Sequence, residues 1–456
     1  MKVTSTVRVK VEPGGSGVVA HLGLHALGSF ADRMGLAAAL SSRLRGRTSR
    51  AALHDRGKLI VQIALMLAGG GESCADIEHL RCEEGLFGDV ASDSTVHRAF
   101  HEITPKLRDE LAEAVAEVRQ KIWERSAKTK GTGPVYLDID ASLVEIHSEN
   151  KQQTAATYKG GFGFHPILCF ADATGEALSG LLRPGNAGSN TVTDHVLVLD
   201  GALAQLPGTV RAGHREGDEA SLVGRRVVCR TDSAGSTAGF VAALVSRNIG
   251  FFTVAATNSQ IQAAIFDAEG VEGVWLPARD RGGELRDGSA VCELTPLVDL
   301  SSWPELTRLI VRREPLHPGA QRSLFPSLEY RYWGFYTDQA GDPVELDVIM
   351  RAHAHVENHI ERLKESGLCR FPFSDFEANA NWMAIVLLAA DLVRWFQLLC
   401  FEGYWQGARP KALRWGIFHA PGRLVSSARR RIVRILDGWP SAEDLLGAYR
   451  RIELIT

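Results

Sequence analysis

Val135-Tyr136-Leu137-Asp138-Ile139-Asp140 follows Gly133-Pro134 and is β-prone throughout, so it reads as a strand whose alternate side chains share a face. Asp138 and Asp140 therefore point the same way. Two carboxylates on a buried strand face are costly unless a cation or strong donors compensate, because an unpaired buried charge loses its hydration. Metal binding is the simplest remedy. A second apolar run, Val227-Val228-Cys229-Arg230-Thr231-Asp232, also stops at an acid, and a helix-like stretch to Ser246 follows Ser233-Ala234-Gly235-Ser236-Thr237. Ligand groups in sheets with helical crossovers gather beyond the carboxyl ends of strands, and Asp232 stands at such an end.

A third acid lies in a different setting. His353-Ala354-His355-Val356-Glu357-Asn358-His359-Ile360-Glu361-Arg362-Leu363-Lys364 has helix-forming composition and no Gly or Pro before Gly367. Helical spacing puts His353, Glu357, Glu361 and Lys364 along one stripe, with Lys364 roughly 10 Å along the axis from Glu357. Magnesium and manganese prefer oxygen ligands, and two ions about 3.5–4 Å apart can clamp the attacking and leaving oxygens of a displacement at phosphorus. Three carboxylates from separate elements, Asp140, Asp232 and Glu357, can hold such a pair.

At these residues the chain resembles the DDE transposases of bacterial insertion sequences, in particular the insertion-sequence 1380 group. Leu137-Asp138-Ile139-Asp140-Ala141-Ser142 is similar to the family's first-aspartate strand, in which the acid precedes a residue and then Thr or Ser, and this favours Asp140 over Asp138. Tyr158-Lys159-Gly160-Gly161-Phe162-Gly163-Phe164-His165-Pro166 and Arg183-Pro184-Gly185-Asn186-Ala187 resemble segments between the first and second acids, and Arg230-Thr231-Asp232-Ser233-Ala234-Gly235 resembles the second-aspartate strand end. The family's glutamate helix carries Tyr, Arg, Glu and Lys with two, three and six residues between them. Here Glu357 and Lys364 fit, while Met350 and His353 stand at the Tyr and Arg positions, with Arg351 and His355 as possible substitutes.

The resemblance runs from about Leu53 to about Gly403. It implies an α/β fold: an RNase H-like mixed-sheet core interrupted by a β-rich insertion, with a helical N-terminal domain and a helical C-terminal region. It implies cut-and-paste DNA transposition with Asp140, Asp232 and Glu357 as catalytic and metal-binding residues. Two Mg²⁺ ions, replaceable by Mn²⁺, are the expected cofactors. Lys364, His353, Lys159 and Arg183 are the expected DNA contacts, and the partners are double-stranded DNA, as terminal inverted repeats and target, with a second copy of the chain. A different class, a transposase-derived DNA-binding protein without strand transfer, is the alternative; three intact acids argue against it.

The chain has 456 residues and a formal charge of −3, so any DNA surface must be local. Between Arg409 and Arg434 there are eight Lys or Arg residues and no acid, and Arg43, Arg45, Arg47, Arg50, Arg56 and Lys58 form a second cluster. Such stretches are often only solvated faces; two of them beside a metal-site candidate favour DNA contact. Seven cysteines without a Cys-x-x-Cys pair point to reduced thiols. The first residues lack the apolar core of a secretory signal, and the apolar run Met383 to Ala390 is too short for a bilayer before Asp391 and Arg394 interrupt it. The expected location is the cytoplasm, associated with a bacterial nucleoid and no membrane.

Patterning divides the chain into an arm and helical DNA-binding domain (1–127), the first part of the core (134–272), the β-rich insertion (273–345), the second part with the glutamate helix (346–403) and a basic helical tail (404–456). Strands are expected at about 135–147, 165–171, 177–183, 227–231 and 250–254, and helices at 191–206 and 236–247. Leu59–Leu67 reads as a buried helix and Ser92–Phe100 as a capped helix start, forming either a helix-turn-helix or a bundle that packs on the core. Trp275, Trp303 and Trp333 of the insertion suit stacking on an extruded base, although core packing is commoner for Trp.

Competing chemistries fit less well. His355 and His359 are one turn apart, but the residue after His355 is Val356, not the Glu of a zinc-protease helix. Gly235-Ser236-Thr237-Ala238-Gly239 has Thr where a nucleophile elbow has Ser, and Gly69-Gly70-Gly71 lacks a phosphate-loop Lys.

Overall fold

A computed structural model describes residues 10, 12, 14–45, 54–131, 133–218, 225–316, 330–427 and 430–455. The N-terminal arm before residue 10, Arg47 and Arg50 of the first basic cluster, and Arg429 of the second lie outside the described residues.

A nine-stranded mixed sheet carries the architecture. Its strands in chain order are β1 (Val135–Ala141), β2 (Ile167–Ala171), β3 (Glu176–Leu181), β4 (Val227–Thr231), β5 (Gly250–Ala255), β6 (Leu276–Arg279), β7 (Leu285–Glu293), β8 (Arg308–Pro315) and β9 (Tyr330–Thr337). Their spatial order is β6-β7-β8-β9-β5-β4-β1-β2-β3. β1, β4 and β5 run parallel, with Ile139 opposite Thr231 and Thr231 opposite Thr253. β2 and β3 extend the sheet antiparallel beyond β1.

The parallel strands are buried on both faces, as β4 and most of β5 show, which explains their nearly continuous apolar sequence. Leu137, Ile139, Val227, Cys229 and Phe251 form one core with the helices Val192–Gln205, Ala238–Val245 and Ser259–Glu269. Val228 and Phe252 face the other way, against Val344, Leu346 and Met350 of the helix Pro343–Arg351. Asp138 and Asp140 alternate with Leu137 and Ile139 and so share this second face.

The strands of the expected insertion continue the same sheet, because β9 pairs with β5 through Tyr336↔Thr253 and Phe335↔Val254. Trp275, Trp303 and Trp333 are half-buried in it. Trp303 stacks on Tyr336 at 4.3 Å, and guanidiniums of Arg313 and Arg312 lie over Trp275 and Trp333 at 4.6 and 4.9 Å.

Helices Leu22–Met34, Leu36–Leu44, Arg56–Ala68, Asp93–Glu102 and Pro105–Arg125 make up the N-terminal part. Gly35, at φ 78, joins the first two in the left-handed conformation that an L side chain resists. The Arg56–Ala68 helix, capped by Asp55 on the Lys58 N–H, is buried along almost its whole length. That helix shares a core with Phe376–Cys400, so the bundle reading describes its packing. Ser92 stands at the N-cap position of Asp93–Glu102 but its hydroxyl contacts those of Ser94 and Thr95 instead of a backbone N–H.

Phe376–Cys400 is long and apolar enough to cross a membrane by length and composition, yet 83% of its apolar window is buried inside the protein. Its polar interruption is satisfied internally: Arg119 bonds Glu176, Gln205 and Asp391 in the core. The C-terminal region departs from the helical expectation that the resemblance carries. Gly422–Ser427 and Arg430–Ile435 form a hairpin that pairs with Val18–Val19, before the helix Ala442–Leu454. The cause is the alternation of β-branched Val433 and Ile435, packed on the core, with Arg434 between them, which suits a half-buried strand.

Candidate active site

Strand register builds the first half of the site. Asp138 on β1 lies opposite Arg230 on the parallel neighbour β4, and Ile139 opposite Thr231. One step further, Asp140 and Asp232 leave adjacent strands at the same end and on the same face, about 4.8 Å apart in the pairing direction. The inner pair is of opposite charge and the outer pair of like charge.

The inner pair is a buried ion pair. Arg230 donates to both oxygens of Asp138 at 2.8 and 2.7 Å, and both side chains are about fully buried, at 1% and 0% exposure. Arg230 also bonds Asp172 at 2.8 Å and the Ile349 carbonyl at 2.9 Å, and lies over the Tyr136 ring at 4.9 Å. One guanidinium thus ties β1, the turn after β2 and the end of the Pro343–Arg351 helix together. Two histidines complete the clamp: His353 Nδ1 is 2.8 Å from Asp138 and His355 Nδ1 is 2.8 Å from Asp172. Asp172's carboxyl is held below its usual range, since Arg230 and the His355 hydrogen bond outweigh the opposing effect of burial.

The outer acids have no such cation. Asp140 accepts the Ala141 N–H at 2.7 Å and Asp232 accepts the Ala234 N–H at 2.8 Å. Asp140's carboxyl is pushed up to about 6, first by burial, then by the charge of Asp232, with Glu357 adding to it and His353 and the Ala141 N–H opposing. Glu357 sits on the exposed side of the helix His355–Leu363, whose Val356, Ile360 and Leu363 are buried. Both Asp232 and Glu357 are near enough to Asp140 for their charges to raise its carboxyl.

Three hard oxygen donors crowded without a counter-charge fit a divalent cation in chemistry. Among the described residues no group of three or more His, Cys, Asp or Glu is closed to ligating distance, so the carboxylates would have to draw together to hold an ion. His353 and His355 present Nδ1 to carboxylates. His359 is half-buried, with both ring nitrogens inaccessible and unpartnered beside Phe170 at 5.5 Å, and desolvation lowers it to about 4.

The expected DNA contacts divide. Lys364 ends the glutamate helix, half-buried, with Nζ 3.1 Å from Glu361. Lys159 is exposed in the turn after β-strand residues Ala155–Ala156, over the Tyr158 ring at 5.7 Å. Arg183 is only 3% exposed and spends its guanidinium on the His165 and Gly188 carbonyls and Asp194. It organises the loop before the Val192–Gln205 helix and presents no surface to a phosphate. His353, Arg351 and His355 are likewise engaged inside the protein, Arg351 with Asp347 at 2.8 Å.

Sequence reading missed Arg230 and Asp172. The spacing of two in both Asp138-Ile139-Asp140 and Arg230-Thr231-Asp232 was the available signal for the first. Asp172 reaches the clamp only through the turn after β2, and nothing local marks it. His165 and His195, both lowered mainly by burial and both within the field of Asp232, were also not foreseen as neighbours of the site.

Comparison with solved structures finds similarity to a piggyBac transposase in a synaptic complex with hairpin DNA, at 10% identity and a TM-score of 0.43, covering 87% of this chain and 80% of that one. No curated protein matches the chain. The family model for the transposase DDE domain, group 1, matches residues 1–456, and the chain therefore belongs to the DDE transposases.

Proposed function

We propose that this DNA transposase cuts phosphodiester bonds at the ends of its element and joins the freed 3′ hydroxyl to target DNA, using Asp140, Asp232 and Glu357. The observation that carries the reading is the like-charged pair Asp140 and Asp232 at adjacent parallel strand ends, with Glu357 near enough for its charge to act on Asp140. These three carboxylates would hold two Mg²⁺ or Mn²⁺ ions, which when bound supply activation of the attacking oxygen and stabilisation of the leaving one.

The chain's own residues do the rest. Asp140, ionised above about pH 6, would complete the ligand set, the Arg230 clamp keeps the glutamate helix seated on β1, and Lys364 and Lys159 offer charge to phosphates. Asp138 is reserved for the clamp. In the sheet, β3-β2-β1-β4-β5 with β2 antiparallel supports an RNase H-like core, and the residue blocks 1–127, 134–272, 273–345, 346–403 and 404–456 are its proposed organisation. A bacterial insertion sequence of the 1380 group, a cytoplasmic nucleoid location and a homodimer across two DNA ends belong to the same proposal.

The test is cleavage of labelled DNA carrying the parent element's ends, wild type against Glu357→Ala, in Mg²⁺, Mn²⁺ and EDTA. End cleavage that requires both metal and Glu357 supports the reading. Binding without cleavage in every condition replaces it with a DNA-binding derivative.

A further inference from the structure

Two exposed aromatic rings stand at the far end of the glutamate helix from the acids. Trp415 is 77% exposed, the most exposed aromatic among the described residues, and Tyr404 is 68% exposed. Together with Glu365, Arg409 and Lys411 they line an open groove of about 660 Å³.

The rings are held in place from below. Trp405 turns inward, with Nε1 2.9 Å from Asp444 and its ring so close to Gly416 that a Cβ there would come within 2.1 Å. The inward Trp405 leaves its neighbour Tyr404 outside, and the glycine that receives it fixes Trp415 on the opposite wall. Trp439 Nε1 adds a hydrogen bond to the Gly416 carbonyl at 3.0 Å. Tyr404 leans edge-on against the Trp405 ring at 4.9 Å, and both Tyr404 and Trp415 still keep most of their surface exposed.

The groove is also electrostatically prepared. Glu365 is neutralised by Arg409 at 2.8 Å and accepts the Lys411 N–H at 3.3 Å, leaving Lys411 as surplus positive charge. Arg362, on the glutamate helix, bonds the Gly407 and Ala408 carbonyls at 2.6 and 3.0 Å. The groove is thus joined to the helix that carries Glu357 and Lys364, roughly 10 Å along its axis.

Planar rings interleaved with cations suit unpaired nucleotides, because every base has a face to stack and every phosphate a charge to meet. We propose that the Tyr404–Trp415 groove binds a single-stranded DNA segment beside the active site, its bases stacked on the two rings and a phosphate on Lys411. The proposal rests on the DNA transposase reading.

Fluorescence anisotropy with labelled oligothymidylate and a labelled blunt duplex, on the full-length chain, tests it. Trp415→Ala and Tyr404→Ala are each expected to weaken oligothymidylate binding about tenfold and to leave duplex binding within about twofold. Trp415→Phe should recover most of the loss. Equal affinity of Trp415→Ala and wild type for the single strand overturns the proposal, as does an equal loss for both probes. A change in sedimentation of the unliganded variant, without a change in single-strand binding, makes the face a contact between copies. If wild type binds neither probe, the DNA reading itself fails.

Discussion

Asparagine at position 140 keeps the shape of the aspartate and removes the charge that the site repels. The Asp140 carboxyl rises from 3.8 to about 6 on folding, which at about 1.4 kcal/mol per pKa unit makes its ionised form roughly 3 kcal/mol dearer in the fold. Its partly solvated edge reduces this to about 1–2 kcal/mol. The sign follows from linkage: the folded carboxyl binds its proton more tightly, so the wild-type protein is relatively stabilised below 3.8 and loses that advantage as pH rises through 6. Without metal, Asp140→Asn should therefore be more stable than wild type at pH 8, by a Tm rise of about 1–2 °C. The gap should shrink as the pH falls from 6 toward 4. Adding Mn²⁺ should reverse the order, since wild type gains about 2.7 kcal/mol at a hundredfold excess over Kd and the variant loses a ligand. Thermal unfolding followed by circular dichroism at several pH values, with and without Mn²⁺, measures all three. A variant less stable than wild type at pH 8, or a difference independent of pH, would refute the reasoning that Asp140 lacks a counter-charge.

Other consequences follow from the same geometry. Glu357→Gln and Asp232→Asn should lower end cleavage by more than the roughly 10–100-fold typical of residues that merely support metal ligands, with gel-shift affinity for the ends unchanged; retained cleavage in either removes that residue from the site. Arg230→Met strands Asp138 and should cost about 3–5 kcal/mol in urea unfolding, whereas Asp138→Asn with Arg230→Met together should cost less than the two changes summed. His359, lowered to about 4 by burial, contributes stability present above its ordinary 6.5 and lost as pH falls toward 4. His359→Leu should flatten the acid limb of the stability profile there, and an unchanged limb would show that another group sets it. Lys364→Ala should reduce the salt dependence of duplex binding by about one phosphate contact, a slope change near 0.9; an unaltered slope would mean that Glu361 keeps Lys364 from DNA.

The sequence by itself determined the strands and the family. Apolar strands ending in acids at Asp140 and Asp232, and helices near 191–206 and 236–247, appear within a few residues of their expected places, because period and punctuation are local properties. The family resemblance, and not spacing alone, grouped Asp140, Asp232 and Glu357 as the expected metal ligands. The tertiary structure decided which carboxylate is free. Asp138 and Asp140 are equivalent in a strand pattern, and only the register against β4 sets Arg230 beside one and Asp232 beside the other. It also decided that Arg183 is interior, and that Arg430–Ile435 forms a strand. Composition marks a residue's chemistry, whereas pairing and burial depend on neighbours distant in the chain. The balance of charge at Asp140 is a sum over such neighbours, and no local stretch contains it.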